Sequence, residues 1–249
     1  MTPATTTTSD TPSWLSHWSG MLILGLLILI AWQVPWLQWL VYPFRLFGTF
    51  VHELSHGLAA IATGGQFHRF AVQPDLSGVA LSAGGVRIVV ASAGYIGSAV
   101  AGGVLIFLYQ RLLSARVLLI GIGTALALLC VLFVRNLFGV TTGLGLAAVL
   151  LFAGLRLGPS WRDALLVTLA MQLILDGYNS LFTVLSLARE SGVHTDAHTM
   201  AQLTMLPALV WVLVWMGLST FVLYYALRWS FARRGPRSST AVTIPQEIR

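Results

Sequence analysis

The sequence predicts an all-α polytopic membrane protein: six to seven transmembrane helices and one short membrane-associated β-hairpin. Three observations carry this. Hydrophobic residues make up 57% of the 249 residues and charged residues only 9%, against about 25% charged in a soluble domain. Apolar runs long enough to cross a bilayer recur along the chain. Between the second and third of them the pattern changes to alternation, which marks paired strands.

Residues 1–19 are rich in threonine, serine and proline and read as a disordered tail. No arginine precedes the first apolar run, so the basic segment of a cleaved signal peptide is missing. The transmembrane region is expected over residues 20–230 and a basic cytoplasmic tail over 231–249. Met21 to Val41 is the first span, with Trp32, Trp36 and Trp39 crowded toward one end as an interfacial belt. Phe44 to Ala62 is the second, and Thr63-Gly64-Gly65 supplies its stop signal.

Gln66 to Gly85 differs in kind. Phe67-His68-Arg69-Phe70-Ala71-Val72 alternates, Pro74-Asp75 marks a turn, and Gly78-Val79-Ala80-Leu81 follows, which together read as a hairpin. At a membrane, such a hairpin must be covered by protein or border water. The third span, Val86 to Tyr109, repeats small residues every fourth position (Ala93, Gly97, Ala101 and Gly94, Ser98, Gly102), a pattern for close helix packing. Val117 to Val134, Leu137 to Leu155, Ala164 to Leu187 and Met205 to Trp229 complete seven spans. Only Arg135-Asn136 divides the fourth from the fifth, and merging them gives six.

All fourteen basic residues are arginine. With seven spans and the C-terminus inside, Arg45, Arg111, Arg116, Arg156, Arg162 and the cluster Arg228, Arg233, Arg234, Arg237 fall on the cytoplasmic side. Arg69, Arg87, Arg135 and Arg189 fall on the other, as the positive-inside rule expects. The net charge of +6 comes without a basic stripe carrying interleaved aromatics, which argues against nucleic acid as a partner. Cys130 is the one cysteine, so no intramolecular disulfide and no thiolate metal cluster forms.

His52-Glu53-Leu54-Ser55-His56, inside the second span, is the most informative stretch. H-E-x-x-H on a helix sets two imidazoles one turn apart on one face, where both reach one zinc ion. The glutamate beside them is placed as general base toward a water that the metal activates. Ionisable groups inside a span are costly and functional by default, which weakens the alternative of two structural histidines. The site thus calls for one Zn2+ ion, with the lipid bilayer as the protein's surroundings.

A zinc hydrolase needs three protein ligands and an open position. His17, His68, His194 and His198 are poor thirds, in the tail, the hairpin and a loop. Two aspartates compete. Asp176 lies within the sixth span, about 16 Å from its outer end, against about 9 Å for His56 in the second. Asp196 precedes the seventh span, where its ordinary reading is a helix N-cap. Depth favours Asp176, with Asn179 on the same face positioned to hydrogen-bond the site or the substrate.

Phe50-Val51-His52-Glu53-Leu54-Ser55-His56-Gly57, with Thr63-Gly64-Gly65, Pro74-Asp75-Leu76-Ser77-Gly78 and Ala93-Gly94-Tyr95-Ile96-Gly97, resembles the site-2 protease family of intramembrane zinc metallopeptidases. It is most similar to the small bacterial, peptidase-like branch. The resemblance covers roughly residues 44–215. It implies a third ligand in a Leu-Asp-Gly motif, which Leu175-Asp176-Gly177 matches, or in a Ser/Thr-Asp-Ala motif, matched by Thr195-Asp196-Ala197. It further implies peptide-bond hydrolysis on a transmembrane protein substrate in the bacterial plasma membrane, with Glu53 as catalytic base. Two other readings share the metal site: a metal transporter, which does not need Glu53, and a pseudo-protease that binds helices without cutting them.

Overall fold

The computed structural model describes residues 18–187 and 195–231. Expectations for residues 1–17 and 232–249, and for Arg189 and His194, lie outside the described residues. The order is α1 (Trp18–Gln33), α2 (Pro35–Ala62), β1 (Gln66–Val72), β2 (Gly78–Ala83), α3 (Arg87–Arg111), α4 (Ala115–Phe133), α5 (Leu137–Arg156), α6 (Pro159–Leu187), α7 (Asp196–Thr204) and α8 (Ala208–Phe231).

Among the described residues, four helices are long and apolar enough to cross a membrane: α3, α4, α5 and α8. The pair α1–α2 adds a fifth span if its two helices are counted as one, bent by 117° at their junction. Large apolar side chains such as Leu128, Phe152, Leu213 and Phe221 face outward. Each would cost about 25 cal/mol per Å² in water and is at home against lipid.

The first two expected spans are divided differently from the reading above. The break falls at Val34, and Pro35 starts α2 at its first turn, where the missing N–H costs nothing. Pro43, at the expected boundary, is inside α2. Arg135-Asn136 does separate two helices, α4 and α5. They run antiparallel with small residues between them, Gly154 against Ile120 and Gly123 against Ala147.

α6 is the centre of the molecule. Leu166, Val167, Leu169, Ala170, Met171, Leu173, Ile174 and Leu175 are all buried, and an all-round apolar helix is one that others surround. One cluster joins it to α2, α4, α5 and β1 through Phe50, Phe70, Leu119, Leu150 and Leu173. Another joins it to α1, α3 and α8 through Met21, Ile106, Met171, Ile174 and Ala226. The small-residue span α3 packs as expected, Gly97 against Ser55 of α2 and Gly102 against the Ala170 carbonyl of α6.

The hairpin forms where expected, antiparallel, with Phe70 opposite Ala80 and an irregularity between Phe67 and Arg69. Gly64, at φ +85°, turns the chain out of α2, a left-handed step that suits glycine. The hairpin then lies back along α2. The Tyr42 hydroxyl donates to the Pro74 carbonyl (2.8 Å) and the Thr49 hydroxyl to the Leu76 carbonyl (3.0 Å). The outer edge of β1 is closed by the α4–α5 junction. The Asn136 amide donates to the Val72 carbonyl at 2.7 Å and accepts from its N–H at 3.2 Å, and the Arg135 N–H reaches the Phe70 carbonyl at 3.1 Å. That satisfies the backbone polar groups of a strand edge.

Candidate metal centre

α2 sets one stripe of polar side chains toward a cavity of about 930 Å³: Arg45, Thr49, His52, Glu53 and His56. Positions three and four apart lie on one helix face, which is why the stripe forms. β2 and the hairpin tip wall the cavity on one side. α3 contributes Val90, Ala91 and Tyr95, α6 contributes Gln172, Asp176 and Asn179, and α7 contributes Asp196 and Thr199.

The two aspartates occupy opposite nitrogens of one ring. His52 Nδ1 lies 3.1 Å from Asp176 Oδ2, and His52 Nε2 lies 3.0 Å from Asp196 Oδ2. His56 repeats half of the pattern, with Nδ1 2.6 Å from the Val90 carbonyl and Nε2 3.3 Å from the same Asp196 oxygen. A carbonyl only accepts, so His56 carries its proton on Nδ1 when neutral, and its Nε2 lone pair faces Asp196. Asp176 favours the same tautomer of His52. Both second nitrogens and one carboxylate oxygen therefore converge on a single point.

Those three donor atoms fit a metal. His52, His56 and Asp196 each offer one ligand atom, all within 4.8 Å of one another. Zinc bonds of about 2.0–2.1 Å in tetrahedral array require donors roughly 3.3 Å apart. The observed separations from Asp196, 3.0 and 3.3 Å, are of that size. Asp176 does not belong to this convergent set; its oxygen lies on the far nitrogen of His52. Burial alone would raise the Asp196 carboxyl, but His52 and His56 in their protonated forms donate to it, outweigh burial and hold it below the usual carboxylate range.

Glu53 is buried at 5% exposure and receives the Ala80 backbone N–H of β2. A Cβ on Gly78 would collide with its carboxylate, so the hairpin approaches as closely as glycine allows. A Cβ on Gly94 would likewise collide with His52 Nε2, which makes this α3 glycine a condition for the nitrogen to be reached at all. Tyr95 stands edge-on to His52 at 4.5 Å and stacks on Trp215 at 4.8 Å, fixing the imidazole from behind.

The N-cap of α7 is Thr195, whose hydroxyl accepts from the His198 N–H at 3.4 Å; Asp196 is the first helical residue, with its carboxylate on the imidazoles. His198 Nδ1 lies 2.8 Å from that hydroxyl, and His68 is exposed on the hairpin, so neither joins the site. Asn179 lines the cavity and accepts from Arg45 at 3.4 Å. The Val90 carbonyl, the Ala80 N–H, Gly78, Gly94 and Arg45 were not visible as site residues in the sequence. Gly78 and Gly94 stand within the motif stretches but with no role that the sequence assigns, and Arg45 carries a signal in its seven-residue spacing from His52 on the same helix face. The seven-span arrangement groups Arg45 with Arg162 on one membrane side, yet it sits beside Asn179, about 25 Å farther along α6.

A partly buried His-His-Asp set that could hold a metal, reached from a cavity in an apolar helical bundle, is the arrangement a membrane metallopeptidase calls for. The chain belongs to the Peptidase M50B-like family, whose model matches residues 18–226, and the likeness to the site-2 proteases stands with it. No curated protein and no solved structure matches the chain.

Proposed function

We propose that this protein is an intramembrane zinc metalloprotease that hydrolyses peptide bonds of membrane-spanning proteins. The observation that carries the reading is the convergence of His52 Nε2, His56 Nε2 and Asp196 Oδ2 beside the buried Glu53 carboxylate. His52, His56 and Asp196 hold the ion, and Asp176 fixes the His52 tautomer and raises its basicity from the far nitrogen. Zinc, when bound, supplies Lewis acidity toward water and the scissile carbonyl.

Glu53 takes a proton from the attacking water and returns it to the leaving nitrogen. Its burial and the Ala80 N–H keep the carboxylate aimed into the cavity through both transfers. Tyr95 and the Val90 carbonyl keep the imidazoles from rotating. β2 has one edge paired with β1, and its other edge borders the cavity, so an unwound substrate segment has a strand to lie against. α7 and the hairpin flank the gap through which water and substrate enter.

Counting α6 as a span gives six spans when α1–α2 is one bent crossing and seven when it is two. The helix ends bearing Arg111, Arg116, Arg156, Arg162 and Arg228 make one membrane face, which we assign to the cytoplasm, with the end of α8, by the positive-inside rule. The placement is in the bacterial plasma membrane.

Glu53→Gln is the test. The purified variant retains one zinc per chain and loses cleavage of a membrane-spanning substrate by about 10²–10⁴-fold, the range of general-base catalysis. Undiminished cleavage by the variant would remove Glu53 from the reaction. Zinc uptake into sealed vesicles that is indifferent to this substitution would favour a transporter instead.

A further inference from the structure

We propose that Arg45 anchors an anionic subsite, where it recognises a carboxylate of the substrate about three residues from the bond that is cut. The inference deepens the peptidase reading and rests on it.

Position comes first. Arg45 precedes His52 by seven residues, two helical turns, so it lies on the same face of α2 about 10.5 Å away. Thr49 fills the turn between, and all three line the same cavity. An extended peptide advances about 3.3 Å per residue. A chain whose carbonyl sits at the metal centre and which runs along this face reaches Arg45 in about three residues.

Charge comes second. The guanidinium is half-buried in the cavity wall, and among the described residues it forms no ion pair. Its contacts are the Asn179 side-chain oxygen at 3.4 Å and the face of Trp32, whose ring centre is 6.0 Å away. The two nearby acids are committed. Asp176 is on His52, and Asp75 accepts the Ser77 hydroxyl and N–H at 2.6 and 3.0 Å. Asp176 attracts Arg45 only at longer range.

A cation taken partly out of water without a paired anion is costly. The guanidinium fork matches a carboxylate in two parallel hydrogen bonds. A substrate carboxylate meets both conditions, and it can come from an Asp or Glu side chain or from a free chain end.

The test walks one glutamate, with glutamine as its control, through an otherwise neutral fluorogenic peptide cut by the zinc-loaded, detergent-solubilised protein. The expected result is a maximum in the Glu/Gln ratio of kcat/KM about three residues from the cut bond. Its size is at least about tenfold, that of a charge-assisted hydrogen bond. Arg45→Gln brings the ratio close to one, and Arg45→Glu takes it below one. Peptides with free and amidated ends tell a terminal carboxylate from a side chain.

A wild-type protein with no such maximum, or an Arg45→Gln protein that keeps it, overturns the subsite. Anisotropy of the same labelled peptides on zinc-loaded Glu53→Gln protein reads the selectivity without hydrolysis. Glu-selective binding without cleavage by the wild type would sink the peptidase reading and leave the subsite standing. Cleavage without selectivity would do the reverse.

Discussion

Asp176 and Asp196 contact the same imidazole from opposite sides, 3.1 Å from Nδ1 and 3.0 Å from Nε2 of His52. The two carboxylates thus stand in different geometric relations to the two imidazoles. Only Asp196 also meets His56, at 3.3 Å. Asp196→Ala is therefore expected to lose stoichiometric zinc, while Asp176→Ala keeps it with affinity lowered about 10–100-fold, the usual cost of an outer hydrogen-bond partner. Elemental analysis and titration against a chelator measure both. The opposite order would make Asp176 the ligand.

Gly94 and His52 Nε2 are so close that any Cβ on the glycine enters the space of the nitrogen. Gly94→Ala should abolish zinc binding while the helix content by circular dichroism stays at the wild-type value. Gly97→Ala is the control on the same helix. There the obstacle is the Ser55 side chain, and zinc binding should persist. Full zinc occupancy in Gly94→Ala would show that the nitrogen is reached by another path.

Gly78 plays the corresponding part for the base. A methyl group there pushes on the Glu53 carboxylate and on no metal-binding atom. Gly78→Ala should lower kcat by at least about 10²-fold with zinc content unchanged, because a misplaced base loses most of what general-base catalysis supplies. A fall in zinc content instead would mean that hairpin and metal site are one mechanical unit.

Which of these features could be read in the chain depends on how local their cause is. H-E-x-x-H lies on one helix face by spacing alone, and the hairpin follows from alternation around Pro74-Asp75. The α4–α5 break is carried by Arg135-Asn136. The kink at Val34 was hidden because the run Met21 to Val41 is apolar on both sides of it, and Pro35 suits a first helical turn as well as a boundary. The choice between Asp176 and Asp196 was left open for a different reason. Depth along spans was the only ruler, and it favoured Asp176. α7 is a nine-residue helix outside every apolar run, so nothing in its sequence states how deep Asp196 reaches. The N-cap role that made Asp196 look ordinary is filled by Thr195.

Asn136 closes the β1 edge with one side chain that serves both the N–H and the carbonyl of Val72, a fully buried residue. Asn136→Ala leaves both groups unmet in an apolar setting, at roughly 1–3 kcal/mol for each buried group. The apparent melting temperature should fall by several degrees, about the shift such a loss produces in a domain of this size. An unchanged melting curve would mean that water reaches the edge of β1.

Zinc should also act as a fastener for α7. That helix is anchored by a small cluster, Ala197 and Met200 against Ala91, Tyr95, Val212 and Trp215, and by the Asp196 carboxylate on α2. A ligand that binds only the folded state at a hundred times its Kd adds about 2.7 kcal/mol. Restoring zinc to metal-stripped protein should thus raise the melting temperature of the wild type and of Glu53→Gln alike, since Glu53 is not among the donors. Asp196→Ala should show little of that rise. If the variant gains as much as the wild type, the aspartate on α7 is not a ligand, and the two histidines hold the ion with some other partner.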